Sequence, residues 1–478
     1  MPAGKNDFGV SRFTAAAAQR YPVFVLGVIL VAVCVPAFFI LPSIDDWNTS
    51  RPIFDFDIAM FSPRLFWRPF EELMRWAAGR NIALHRWIFH GIAVFGHVGG
   101  TLLLYRILCR VQVAAGPALA GAMFFTVSPA VAAGVWSVDS AIQTCSTCFG
   151  LASVWFLISK PGADGTVLGL GCAAVAALWK ESGLAWFVAA PIFAAALTVH
   201  SSRPRRHLVR VGAGLCGAAL YFAIREVLAA ADGTGAEVGR YALQWHPLIW
   251  AKNAAMLLGV SCSTVDTVSL FGTGNLWAAA ISFAGGLPLL LWAIGRGLGR
   301  FRTFGFWSGA VAVAALIAPH IVLGHVSEMY AYPVTAGIVL WFVGVLRVGE
   351  HAERFARWSL GIAFVVCFAV SAHKWTEMYR TGQRAKSVAV QILQHYGSPE
   401  AVPKQVCTLV TSENRVAGYS VFYASPPSAS NWGRSIWAET KWRRPVDIVS
   451  IQHVEECSPD ISDVWNIDAF GKLTVIGR

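Results

Sequence analysis

An all-α polytopic membrane protein with a small α/β C-terminal domain is the fold class this sequence predicts. Three observations predict it. Of 478 residues, 56% are hydrophobic and only 14% are charged, where a soluble domain carries about 25% charged residues. The apolar residues gather in repeated runs of about twenty, the length of a helix that spans bilayer hydrocarbon. Lys and Arg concentrate in short loops between alternate runs, as they do in cytoplasmic loops. The same composition excludes a soluble enzyme, a disordered chain and a disulfide scaffold. The net charge of +11 belongs largely to those loops, so membrane lipids are the expected surroundings and nucleic acid is not an expected partner.

In chain order, about eleven crossings are expected, near residues 22–42, 87–108, 113–135, 142–158, 166–180, 183–199, 208–228, 276–295, 305–323, 333–348 and 357–373. Backbone polar groups in hydrocarbon must be satisfied internally, so the runs are helices. Lys5, Arg12 and Arg20 flank the first run, which is long for a cleavable signal core and has no A-x-A site after it; it is expected to remain as an anchor. A cytoplasmic N-terminus places Arg106, Arg110, Lys160, the Arg203–Arg210 cluster, Arg296, Arg300, Arg302, Arg347, Arg354 and Arg357 inside as well. An odd number of crossings then leaves the C-terminus outside. The expected setting is an inner (cytoplasmic) membrane, with a membrane domain over 1–373 and a periplasmic or exterior domain over 374–478.

Three exterior segments break the pattern. The loop 43–86 holds Asp45, Asp46, Asp55, Asp57, Glu71 and Glu72 against six arginines. Its part from Phe66 to Leu84 reads as an amphipathic helix on the membrane, with Trp67 and Trp76 suited to the interface. Residues 229–275 are moderately apolar at 248–265, which reads as an interfacial or re-entrant piece, since a crossing there would invert the later loops. The tail has a helical stretch at 385–395 and strand-like runs at 405–411, 419–424 and 446–451. Of ten cysteines, eight lie in or beside apolar runs, where a thiol behaves as a small hydrophobe. Cys407 and Cys457 lie in the polar tail and are expected to pair if it faces an oxidising compartment. Cys145 and Cys148 form a C-x-x-C without a second ligand pair.

The candidate functional residues are polar groups at the exterior ends of apolar runs. Adjacent Asp45 and Asp46 follow the first crossing; such a pair serves as a general base or a metal ligand, or else opens a solvated loop. Asp139 stands in a short turn and equally reads as a helix cap. Lys180-Glu181 and Arg225-Glu226 interrupt hydrophobic sequence, either as functional groups or as self-neutralised turns. Lys180 and Arg225 suit a phosphate at the membrane surface. His90 and His97 share a helix face and, with no third ligand, read as packed histidines rather than a metal site. Glu328 and Tyr332 open the tenth crossing, where tyrosines commonly form an aromatic belt. No phosphate-binding glycine loop, dinucleotide fingerprint or serine-hydrolase elbow occurs.

In order and topology these marks resemble the GT-C superfamily of integral-membrane glycosyltransferases, most nearly the protein O-mannosyltransferases of the tetratricopeptide-containing type. The resemblance covers roughly residues 22–350. It rests on Asp45-Asp46 after the first helix, Arg68-Pro69 in the same loop and His90-x-x-Ala93-x-x-x-His97 followed by Leu104-Tyr105. Asp139, Lys180-Glu181-Ser182-Gly183 and Glu328 with Tyr332-Pro333 complete it. The family's Asn stands here as Ala93 and its Arg as Met329, and the tail shows no tetratricopeptide period.

The resemblance implies a polyprenyl-phosphate-linked sugar as donor and an acceptor hydroxyl on a protein, lipid or glycan. Asp45, with Asp46 close by, would be the general base of an inverting transfer. Lys180, Arg225 and Arg68 would meet the departing phosphate, and Asp139 would orient the acceptor or help a divalent metal, whose use is left open. His90, His97, Glu181, Glu328 and Tyr332 would support the site. A transporter or lipid flippase, and a non-catalytic glycan-assembly partner, are the competing expectations.

Overall fold

The computed structural model describes residues 8–41, 55–58, 67–80, 84–137, 140–198, 204–231, 244–262, 303–322, 328–347, 354–409, 447–467 and 472–477, with isolated positions between 277 and 299. The described residues form a helical bundle followed by a small sheet. The helices are α1 (Phe8–Cys34), α2 (Pro69–Arg80), α3 (His85–Arg110), α4 (Ala115–Val127), α5 (Pro129–Trp136), α6 (Ala141–Ser159), α7 (Ala163–Trp179), α8 (Trp186–Leu197), α9 (Pro204–Ala231), α10 (Pro247–Cys262), α11 (Phe304–Ile321), α12 (Ala331–Val339) and α13 (Arg354–Tyr396).

Among the described residues, five stretches are long and apolar enough to cross a membrane: Tyr21–Phe39, Arg86–Arg110, Ala141–Ser159, Arg205–Ile224 and Phe304–Ile321. A sixth span, α4 with α5, is bent by 54°. Its cause lies in the sequence. Pro129 has no N–H to continue the helix and disfavours helical geometry at the residue before it, and Ser128 is accordingly extended at φ −54°, ψ 130°. Shorter apolar helices occupy Ala163–Trp179, Glu181–Leu197 and Ala331–Val345. The chain thus has the helical, apolar build of a membrane protein. The run expected at 276–295 lies mostly outside the described residues. The expected domain boundary at 373/374 falls inside α13, an unbroken helix of 43 residues.

Small residues let the bundle close. A Cβ on Gly96 of α3 would stand 2.7 Å from backbone atoms of Thr144 and Cys145 in α6, and one on Gly150 would stand 2.2 Å from the Trp186 ring. Glycine at these positions allows the backbones to approach. Cys145 and Cys148 are buried at this α3–α6 seam, and Cys145 Sγ donates to the Ile92 carbonyl at 3.6 Å. They pack as small apolar residues.

The helix ends sort into two faces. At one, Trp136 Nε1 donates to the Val33 carbonyl (2.8 Å), His90 Nε2 to Ile40 (3.1 Å) and Trp375 Nε1 to Pro36 (3.1 Å). This face gathers the ends of α1 and α5 and the start of α3. At the other, Arg210 donates to the carbonyls of Leu157 (2.6 Å) and Lys160 (3.0 Å), and Arg347 to that of Val111. Lys160, Arg210 and Arg347 belong to this second face. The helix expected at 66–84 exists as α2. Its apolar face, however, meets protein: Met74 and Ala78 pack on Phe89, Ala93, Ala141 and Ile142. The stretch at 248–265 is α10, held by Asn253 Nδ2 donating to the Ile321 carbonyl at 2.9 Å.

Beyond the bundle, β1 (Gln405–Leu409), β2 (Asp447–Ile451), β3 (Asp463–Ile467) and β4 (Leu473–Gly477) form a sheet of order β2-β1-β3-β4. β1 pairs parallel with β2 and β3, and β3 pairs antiparallel with β4. The C-terminal end of α13 covers one face through Val388 and Ile392 against Val406, Trp465 and Ile467. Cys407, Ile451, Cys457, Ile461 and Val464 pack on the other. Two of the expected strands match β1 and β2; the run 419–424 lies outside the described residues, and β3 and β4 were not expected. Cys407 and Cys457 form a disulfide with Cα atoms 6.0 Å apart and a sequence separation of 50.

Closing a loop of that length stabilises a fold by about 4 kcal/mol in the chain-entropy account. Cys407→Ala is therefore expected to lower the stability of the sheet by about 2–4 kcal/mol. Peptide mass analysis of the unreduced wild type should recover the two cysteine peptides joined; finding both thiols free would refute the pairing.

Candidate functional site

Three of the residues expected to carry chemistry, Arg68, Lys180 and Glu181, lie around the turn between α7 and α8. The helix stops after Trp179 because Lys180 is extended (φ −153°, ψ 137°), and the chain re-enters through the short 3-10 turn Glu181–Ala185. Gly183 makes the turn possible. Its N–H donates to the Lys180 carbonyl at 2.7 Å, and a Cβ there would stand 2.2 Å from the Ala176 carbonyl oxygen. The sequence Lys180-Glu181-Ser182-Gly183 thus places two opposite charges in adjacent positions on a rigid corner.

Glu181 is clasped by Arg68, just before α2. Arg68 Nε lies 2.9 and 3.0 Å from the two carboxylate oxygens, and Nη2 lies 2.6 Å from Oε1. Arg68 Nη1 also reaches Glu71 Oε2 at 3.2 Å. This fork-like geometry is the strong, directional form of the ion pair. Burial alone would raise the Glu181 carboxyl, but the Arg68 guanidinium and then Lys180 outweigh it, so its pKa lies below the ordinary 4.5. Two ring stacks flank the clasp. Trp67 lies on Tyr221 of α9 (5.8 Å) and Phe70 on Trp179 (5.2 Å). Tyr221 also donates to the Ala177 carbonyl at 3.2 Å.

Lys180 itself is 6% exposed. Its ammonium lies 3.1 Å from Met329 Sδ and 5.3 Å over the Tyr330 ring, both in the short turn Glu328–Tyr330 that precedes α12. Two residues further on, Tyr332 is fully buried, and its hydroxyl shares a 2.7 Å hydrogen bond with His97 Nδ1. Phe125 packs on both rings. His97 is twelve residues into α3, roughly 18 Å along the helix at 1.5 Å per residue. The pair therefore sits deep in the bundle. His97 Nε2 has no hydrogen-bond partner among the described residues.

Of the expected site residues, the structure brings Lys180, Glu181 and Arg68 together, joins His97 to Tyr332 and places His90 against the end of α1. Asp45, Asp46 and Asp139 lie outside the described residues. Arg225 stands one turn beyond Tyr221 on the same face of α9, and Glu328 opens the turn carrying Met329; their side chains lie outside the described residues. Sequence reasoning missed Met329, Tyr330 and the clasp itself. It also missed Lys374, 1% exposed in α13, one residue before the tryptophan that donates to Pro36. A lysine after an apolar run reads as a surface anchor, and only packing distinguishes it. Among the described residues no three His, Cys, Asp or Glu side chains gather as a metal site.

Comparison with known proteins adds no family. No protein-family model matches the chain, and no curated protein matches it significantly by sequence.

The clasp makes a pH-dependent prediction. A carboxylate depressed in the folded state contributes stability that is fully present above its unfolded pKa and is lost as pH falls through the folded value. Glu181→Gln is expected to cost about 1–3 kcal/mol near neutrality. The gap to wild type should close as pH falls below about 4.5. A gap that persisted unchanged in acid would show that the charge is not what Arg68 holds.

Proposed function

We propose that the protein is a glycosyltransferase of GT-C type that moves a sugar from a polyprenyl-phosphate donor to an acceptor hydroxyl at the exterior face. The observation that carries this reading is the meeting of Lys180, the Arg68–Glu181 clasp and the turn Glu328–Tyr330 at the face where α1 ends and the chain leads into Asp45-Asp46. In this reading Asp45, beside Asp46, takes the proton from the acceptor hydroxyl. The oxygen attacks the anomeric carbon, and the lipid phosphate leaves from the opposite side. Lys180 and Arg225 stabilise the charge that develops on the phosphate. Arg68 is held by two carboxylates, so an anion would have to displace one to use it; its part is to fix Glu181 and with it the corner that carries Lys180. Asp139 orients the acceptor.

The reading takes the chain as an inner-membrane protein of eleven crossings, with a cytoplasmic N-terminus and the C-terminal sheet outside. The basic face formed by Arg210, Lys160 and Arg347 supports that orientation, and the Cys407–Cys457 disulfide suits an exterior compartment. One observation favours a second reading, a transporter. The His97–Tyr332 pair places polar groups deep among apolar helices, where ion and proton paths run.

The test is incubation of purified protein with a panel of polyprenyl-phosphate sugars, following donor consumption. Asp45→Asn is expected to fold and insert while transferring sugar at least about a hundred-fold more slowly, the usual contribution of a general base. Normal transfer by both Asp45→Asn and Asp46→Asn would remove the base assignment. Substrate movement across liposomes without any sugar transfer would favour the transporter.

A further inference from the structure

The loop before α3 carries six arginines on the face that the proposed orientation puts outside, where Lys and Arg are ordinarily sparse. Two of them are matched within the protein: Arg68 by Glu181 and Glu71, and Arg75 by Glu72. Arg86 is not. It lies in the first turn of α3, is partly exposed, and makes no hydrogen bond or ion pair among the described residues. Its guanidinium rests 5.5 Å from the centre of the Trp87 ring. Trp87 stacks in turn on Phe38, near the end of α1, with centroids 5.1 Å apart and planes 22° from parallel. Rings therefore steady this cation, and no carboxylate pairs with it.

The surface beside Arg86 suits hydrocarbon. Leu84, Trp87 and Phe95 recur at helical spacing and are all exposed. Between the two rings on that face stands Gly91, where a Cβ would meet no atom within 4 Å. Trp87 and Phe95 are eight residues apart, roughly 12 Å along the helix. The face thus offers an apolar track with a dip in it, leading up to a cation.

We propose that Arg86 and Trp87 bind an anionic phospholipid of the surrounding bilayer, its headgroup phosphate on the guanidinium and an acyl chain along α3 past Gly91. The guanidinium fork matches phosphate oxygens through charge-assisted hydrogen bonds. The indole belongs at the boundary between headgroups and hydrocarbon. A zwitterionic headgroup brings its own cation, so a net negative headgroup is the better match for an arginine that no carboxylate pairs with. The inference takes from the reading above only which leaflet is concerned, and it requires no sugar transfer.

The experiment uses full-length protein in nanodiscs that hold phosphatidylglycerol and phosphatidylcholine in equal amounts. One lipid or the other carries a photoreactive group near its headgroup, and labelling is read by mass spectrometry on the peptide that contains Trp87. The wild type is expected to be labelled about fivefold more by phosphatidylglycerol, the weight of one arginine near an anionic surface. Arg86→Gln should abolish that preference, and Arg86→Lys should keep part of it, because the charge remains while the fork is lost. Trp87→Leu should lower it about twofold or more, since the guanidinium loses the ring it rests on. Should Arg86→Gln fail to fold, raising the salt about tenfold on the wild type reads the same charge, and the preference should fall.

Equal labelling of the wild type by the two lipids, a preference that survives Arg86→Gln, or one indifferent to salt would each overturn the proposal. Added polyprenyl phosphate should leave the labelling unchanged; displacement by it would give the site to the sugar donor and overturn the assignment to a bilayer lipid. A preference that depends on Arg86 in a protein that transfers no sugar would leave the lipid site standing while the transferase reading falls. Sugar transfer without the preference would do the reverse.

Discussion

In a bundle with so little polar surface, the carbonyls left over at helix ends have to find donors inside the protein. The last turn of a helix leaves four C=O groups without intrahelical partners, and hydrocarbon offers none. Here other helices supply them. Trp136 caps the end of α1, Ser371 donates to Val127 at the end of α4 (2.9 Å), and Arg210 covers the end of α6. Ser146 and Tyr221 reach Ala176 and Ala177 near the end of α7, and Asn253 reaches Ile321 at the end of α11. Each cap ties two segments distant in sequence. The order of helices around the bundle is therefore recorded in which side chain meets which carbonyl.

This constraint changes how a polar residue in the sequence should be weighed. His90 and His97 lie on one face of one helix and invite a shared role, yet they do different work. His90 donates to Ile40 and belongs with the caps. His97 bonds to Tyr332 from across the bundle, and no helix end requires it. A similar division separates the cations. Arg210 is 2% exposed, as buried as any catalytic group, but its donors are turned to the carbonyls of Leu157, Lys160 and Pro161 and the Thr166 hydroxyl. Burial alone does not single out a functional charge; what the charge faces does.

The helical, apolar build was legible because the length of apolar runs is a global property. Local errors do not disturb it. The break at Ser128-Pro129 is also written in the sequence, since proline acts on its own neighbours. The clasp was not legible. Arg68 and Glu181 are separated by 113 residues, and each has a nearer opposite charge, Glu71 and Lys180, that offers a local explanation. The extent of α13 was hidden for the opposite reason. Its apolar character ends near residue 373 while its helical hydrogen bonding does not, because the later turns bury a different face, Val388 and Ile392, against the sheet. In the tail, β1 is buried on both faces and shows no alternation to mark which side packs on the helix.

At the α7–α8 corner two adjacent opposite charges each take a partner from another segment. Glu181 and Lys180 are neighbours in the chain, at the point where the extended Lys180 gives way to a tight turn. Glu181 goes to Arg68, which binds it in a fork, and Lys180 goes to Met329 and Tyr330. The Arg68 guanidinium, from another segment, contributes most to holding the carboxylate ionised, and Lys180 adds to it. Gly183 is what allows the corner, because any side chain there would strike the Ala176 carbonyl and force the turn open. A glycine with no chemistry of its own thereby sets the corner from which Glu181 reaches Arg68 and Lys180 reaches Met329 and Tyr330.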